Sequence, residues 1–185
     1  MADVVELIKK DHREVERMFE ALRSDPAARP GLVPVLTTLL AAHSRAEESE
    51  VYPVVSGELD AADDVAHSQE EHIEADQLLE RLAGCDPEGA EFEQVLQQVV
   101  DAVAHHLEEE ETTVLPHMST GLSDERRAEL GEAFLQVRHE HLGDQPDDIT
   151  RAQLQQQATN AEIGGTSGLG KHQLQDKLRE EAGSE

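Results

Sequence analysis

Five stretches of this chain place apolar side chains three and four residues apart, and each is bounded by proline, glycine or a polar turn. That period restricts the chain to helices that each bury one stripe. From Asp3, which can cap together with Glu6, the first stripe runs Val5, Ile8, Val15, Phe19 and Leu22, and His12 fills its gap. It stops before Ser24-Asp25-Pro26. The second begins near Pro30, tolerates Pro34 in its first turn and carries Leu36, Leu39, Leu40 and Val51, with His43 and Glu47 inside it. Pro53 and Gly57 are expected to close it. The third covers roughly 62–83, with His72 at the heptad position between Val65 and Leu79. The fourth carries Phe92, Leu96, Val99, Val103 and Val114, is interrupted by His106 and Glu110, and is expected to end at Pro116. A fifth runs from a Ser123 cap to about His141 through Leu130, Phe134 and Val137. Similar lengths and short turns predict an all-α, up-down-up-down four-helix bundle with an extra fifth helix over residues 1–142.

Aromatics are only 2% and Trp is absent, so the core must be built from Leu, Val, Ile and Ala. Fifteen basic residues against 41 acidic ones give a formal charge of −26. That field repels nucleic acid and anionic membrane and favours cations. The single cysteine, Cys85, cannot form an internal disulfide, which suits a reducing compartment. No basic stretch followed by an apolar run opens the chain, and no apolar run approaches the ~20 residues that cross a bilayer. A cytoplasmic location is expected.

Two segments match each other in register. His43-Ser44-Arg45-Ala46-Glu47-Glu48-Ser49-Glu50-Val51-Tyr52-Pro53 and His106-Leu107-Glu108-Glu109-Glu110-Glu111-Thr112-Thr113-Val114-Leu115-Pro116 both read His-x3-Glu-Glu-x2-Val-x-Pro. Four residues turn a helix by about 400°, so each His and first Glu share a face. A single such pair is usually a surface ion pair. Two copies inside apolar stripes would bury two carboxylates at several kcal/mol each unless a cation compensates them. Imidazole nitrogen with carboxylate oxygen suits iron, manganese or zinc. His12 and His72, on the remaining stripes, complete a set of four His and two Glu, leaving two ferrous ions a residual charge of about +2.

This pattern resembles the hemerythrin-like HHE cation-binding family over roughly residues 3 to 118. The resemblance implies a bundle holding two iron ions, oxo- or hydroxo-bridged, in preference to manganese. It maps the ligands onto His12, His43, Glu47, His72, His106 and Glu110. Oxygen carriers of this family have a second histidine a turn from His72, where this chain has Ser68 and Asp76. An open position there favours reaction with O2 or peroxide, including peroxide decomposition, over reversible carriage. Asp76 is the candidate extra or outer ligand. A non-catalytic oxygen, iron or redox sensor, or NO and iron binding for storage or detoxification, uses the same ligand set.

His105 and Glu109 offer an alternative register, and the Pro116 offset selects His106 instead. His67, His117, His139, His141 and His172 read as surface residues. Tyr52 could approach the metals as ligand or radical relay, although capping the core is its simpler role. Glu48 and Glu111 read as outer carboxylates. Ferritin-type bundles place Glu three before His, whereas Gln69 and Val103 stand there, and the His-Glu-x2-His of zinc proteases is absent. Residues 143–149 read as a linker and 150–182 as a small helix–extended loop–helix module, similar to the Rho N-terminal-like group, some members of which bind nucleic acid.

Overall fold

The computed structural model describes residues 2–141, 151, 154, 155, 158 and 163–182, and among these every regular element is helical. Helix α1 (Val4–Ser24) starts where Asp3 accepts the Val5 N–H at 2.9 Å, satisfying one of the first-turn donors. A 3-10 turn, Pro26–Ala28, leads into α2 (Arg29–Ala46). Arg29 is buried there and ties three elements together. Its Nε donates to the Leu22 carbonyl at 2.9 Å and one terminal nitrogen to that of Pro87 at 2.8 Å, while it pairs with Glu93.

Of the two residues expected to close this helix, Pro53 does not, and the chain stays helical to Glu58, next to Gly57. Instead a π-helical turn, Glu47–Val51, passes directly into α3 (Tyr52–Glu58). In an α-helix the ring of Pro53 would meet the carbonyl four residues back. The π turn bonds the Tyr52 N–H to Glu47, five residues back, and its extra residue absorbs the clash, so the helix continues. Asp60, in the left-handed region at φ 57°, then reverses the chain into α4 (Ala62–Ala83).

The second expected stop, at Pro116, is also displaced. Helix α5 (Ala90–Thr112) ends at Thr113, and Pro116 lies in the first turn of α6 (Val114–Gly121), where a missing N–H costs nothing. The repeated motif therefore departs from regular α-helix twice, once as a π turn and once as a break at Thr113. Helix α7 (Asp124–His141) starts beyond Ser123, whose Oγ accepts the Arg126 N–H at 3.2 Å, and packs across α1 and α2.

The apolar core divides in two. One cluster joins Val15, Met18, Leu36, Leu79, Leu96 and Val103; the other joins Ile8, Val55, Val65, Leu115, Met118 and Phe134. Each buried Leu or Phe contributes about 1.5–3 kcal/mol. Between the clusters α1, α2, α4 and α5 all switch to polar residues at one level. Helix α8 (Lys171–Ala182) packs on α7 and shares a small apolar cluster of Leu154, Ala158, Leu174 and Leu178. The expected linker 143–149 and most of the helix expected over 150–158 lie outside the described residues. No helix among the described residues is long and apolar enough to cross a membrane.

Candidate metal centre

The polar layer contains His12, His43, Glu47, His72, His106 and Glu110, each at most 6% exposed. Helix α1 supplies His12, α2 His43, the π turn Glu47, α4 His72, and α5 both His106 and Glu110. They fall into two groups of mutually close donor atoms, His12 with His43, Glu47 and Glu110, and His72 with His106 and Glu47. Glu47 belongs to both. Its N–H still bonds the His43 carbonyl four residues back, so the i,i+4 spacing puts it beside His43, and the π turn begins only beyond it.

The spacing of the donors is that of atoms gathered around cations. His43 Nε2 lies 3.0 Å from Glu47 Oε1, and His12 Nε2 lies 3.2 Å from Glu110 Oε2. His72 Nε2 lies 3.4 Å from Glu47 Oε2 and 3.1 Å from His106 Nε2. Donors at about 2.1 Å from a shared ion stand about 3.0–3.4 Å apart. Five buried atoms, His12 Nε2, His43 Nε2, Glu47 Oε1 and both carboxylate oxygens of Glu110, have no hydrogen-bond partner. Unsatisfied polar atoms in a dry core are costly, and a cation satisfies all five.

The outer nitrogens repeat one device four times. His12 Nδ1 meets Glu111 Oε1 at 2.8 Å and His43 Nδ1 meets Asp11 Oδ2 at 3.3 Å. His72 Nδ1 meets Glu48 Oε1 at 3.2 Å and His106 Nδ1 meets Glu71 Oε2 at 2.9 Å. An ionised carboxylate only accepts, so each Nδ1 carries a hydrogen, and a neutral imidazole held this way presents its Nε2 lone pair inward. This is the arrangement that fixes metal-bound imidazoles in orientation and tautomer.

Charge closes the account. The six carboxylates Glu47, Glu110, Asp11, Glu48, Glu71 and Glu111 stand against two guanidiniums, Arg138 on Asp11 and Arg13 on Glu111. Six less two leaves four negative charges, a surplus that favours cations. With no cation between the groups, burial disfavours charged His43, but Glu47 and Asp11 outweigh it and hold its pKa well above the ordinary imidazole value. Burial would raise Glu47 too, yet His43 and His72 hold it well below the ordinary carboxylate range.

The other candidates are placed as follows. Glu48 and Glu111 sit on the outer nitrogens, as their positions beside the motif suggested. Tyr52 is 1% exposed; it helps fill the second apolar cluster, and its hydroxyl also reaches the layer. That hydroxyl stands 3.5 Å from Glu47 Oε2 and 3.4 Å from His72 Nε2, with the ring stacked on His72. Asp76, a turn beyond His72 on α4, is exposed and belongs to neither group, while Ser68 is the buried neighbour of His72. His67, His105 and His117 are exposed; His139 and His141 are half-buried, and His141 meets Arg45 at 3.1 Å.

Three residues escaped sequence reasoning: Asp11, Glu71 and Arg138. The first two had a signal, since an acid immediately precedes each lone histidine, Asp11-His12 and Glu71-His72. Each of these acids holds the histidine of the next helix in its own half of the bundle. Arg138 had none, because it arrives from α7. Its Nε and a terminal nitrogen donate to the two oxygens of Asp11 at 2.7 and 2.8 Å.

The signature of the hemerythrin HHE cation binding domain matches residues 3–118. This chain belongs to the hemerythrin HHE family. Its bundle is accordingly a cation-binding domain, and the nitrogen-and-oxygen donor set of the polar layer can hold a metal such as iron. A protein of Nostoc sp. (strain PCC 7120) called DNA nickase is 28% identical over 134 residues, covering 71% of this HHE chain and 38% of that protein. The chain thus spans well under half the length of that relative. No solved structure matches the chain.

Proposed function

We propose that this HHE protein holds two iron ions in its polar layer and binds or reacts with O2 or peroxide there, including peroxide decomposition. In this reading His12, His43 and Glu110 hold one ion, His72 and His106 the other, and Glu47 lies between them. The four inward Nε2 atoms, each set by a carboxylate on Nδ1, are the observation that carries it. When bound, the ferrous pair supplies the electrons for reduction of the oxygen species.

The residues around the ions do the remaining work. His72 has Ser68, not a second imidazole, a turn away, so its side of the layer offers one nitrogen ligand fewer. The Tyr52 hydroxyl faces that side and can donate a hydrogen bond or hold a proton at its oxygen. The two apolar clusters keep bulk water from the layer, and Asp11, Glu48, Glu71 and Glu111 keep the imidazoles from turning. The Nostoc relative's name raises cleavage of DNA, but a layer at most 6% exposed in a chain of charge −26 opposes approach of a DNA backbone.

Anaerobic loading with Fe2+, metal analysis, and timed oxygen release from added peroxide test the reading. Two irons per chain and oxygen release are expected. A chain that retains no iron refutes the centre, and a loaded chain inert to both O2 and peroxide refutes the reaction.

One observation favours a second reading as sensor. Helix α8 packs on α7, α7 carries Arg138, and Arg138 grips Asp11 against His43. Iron loading should then alter amide exchange in residues 171–182 of the full chain. Identical exchange with and without iron removes this reading.

A further inference from the structure

His105 and Glu109, the register not used by the buried layer, meet His67 and Glu71 on the surface between α4 and α5. His67 Nε2 stands 3.0 Å from Glu109 Oε2 and 3.7 Å from Glu71 Oε1. His105 Nε2 stands 3.4 Å from Glu109 Oε1 and 3.8 Å from Glu71 Oε1. The four donor atoms all lie within 4.8 Å of one another. Each helix supplies a His and a Glu four residues apart, which places both donors on one face. Two imidazoles and two exposed-side carboxylate oxygens, a little wider apart than donors already closed on an ion, suit a first-row divalent cation.

Glu71 makes this more than a surface ion pair. Its Oε2 accepts from His106 Nδ1 at 2.9 Å, while its Oε1 faces His67 and His105. One carboxylate therefore touches both the exposed cluster and a histidine of the buried layer. A surface groove runs on from it along α4 and α5 past Glu74 and Asp101, where three carboxylates outnumber the one cation, Arg81. The buried layer, at most 6% exposed, needs an approach of this kind.

We propose that His67, Glu71, His105 and Glu109 form a second, solvent-accessible site for a divalent transition ion, from which the buried centre is filled on the His106 side. The filling role rests on reading the buried layer as a metal centre; the surface site does not. His67 and His105 capture the ion from the groove, and Glu71 hands it inward by exchanging its bond to His106 for the metal.

The probe is Co2+ added to the full chain and to a His67→Ala/His105→Ala variant, neither of whose altered side chains touches the buried layer. Equilibrium dialysis counts bound ions, and stopped-flow quenching of Tyr52 emission follows filling of the interior. The variant is expected to bind one Co2+ fewer and to fill its interior several-fold more slowly. Equal stoichiometry overturns the site. One ion fewer with an unchanged rate keeps the site and overturns the filling role. A wild-type chain that binds only the one Co2+ the variant lacks upholds the site and removes the buried centre instead.

Discussion

Replacing Arg138 by Gln should destabilise this protein far more than a surface ion pair would. Asp11 is 4% exposed and accepts two charge-assisted bonds from Arg138, at 2.7 and 2.8 Å, against a longer 3.3 Å contact with His43. Burial by itself would raise the Asp11 carboxyl, yet Arg138 and His43 hold it below its ordinary value, so it stays ionised. Arg138→Gln leaves a buried carboxylate with one weak partner. Stranding a buried charge costs about 3–5 kcal/mol, and because the Arg138 side chain is 16% exposed, water can reach the gap and the lower end applies, about 3 kcal/mol. Asp11→Asn together with Arg138→Gln removes the stranded charge and should cost less than Arg138→Gln alone. Urea unfolding of the metal-free chain, followed by helical circular dichroism, measures both. A loss under about 1 kcal/mol, the range of exposed pairs, refutes the argument, as does a double variant that loses the sum of the two singles. The double variant should bind metal about 10–100-fold more weakly, because it lacks the Asp11 carboxylate that holds His43 in place.

Tyr52 is the sole tyrosine and there is no tryptophan, so its emission reports on the layer alone; iron loading should quench it, and unchanged emission places the metals elsewhere. Metal loading should release protons near neutral pH. His43 and His72 are held above the ordinary imidazole value, against burial, chiefly by Glu47, so part of their population is protonated when a cation arrives. Affinity should accordingly rise with pH until those imidazoles are neutral; calorimetry in buffers of different ionisation enthalpy reads the proton count, and zero refutes the assignment. Gly131→Ala should cost about 1–3 kcal/mol, because its Cβ would lie 2.1 Å from the Ala2 carbonyl oxygen where α7 crosses the start of the chain; a melting temperature equal to wild type refutes the close approach.

The sequence by itself determined the bundle and the inner polar residues. Apolar period fixes which face of a helix is buried, and His43, Glu47, His106 and Glu110 interrupt that face twice in the same register. It did not determine how the helices survive Pro53 and Pro116. That depends on whether the backbone can shift register, and between Glu47 and Tyr52 it does so through a π turn that lets the helix run on through Pro53. Nor could spacing along one chain segment reveal Glu111 on His12, Glu71 on His106 or Arg138 on Asp11, contacts between residues 99, 35 and 127 positions apart. Periodicity is a property of one helix, whereas these bonds exist only after helices pack and their polar faces meet at the same level. The same packing sorted two near-identical registers on α5, sending His106 and Glu110 into the core and His105 and Glu109 out to meet α4 at the surface.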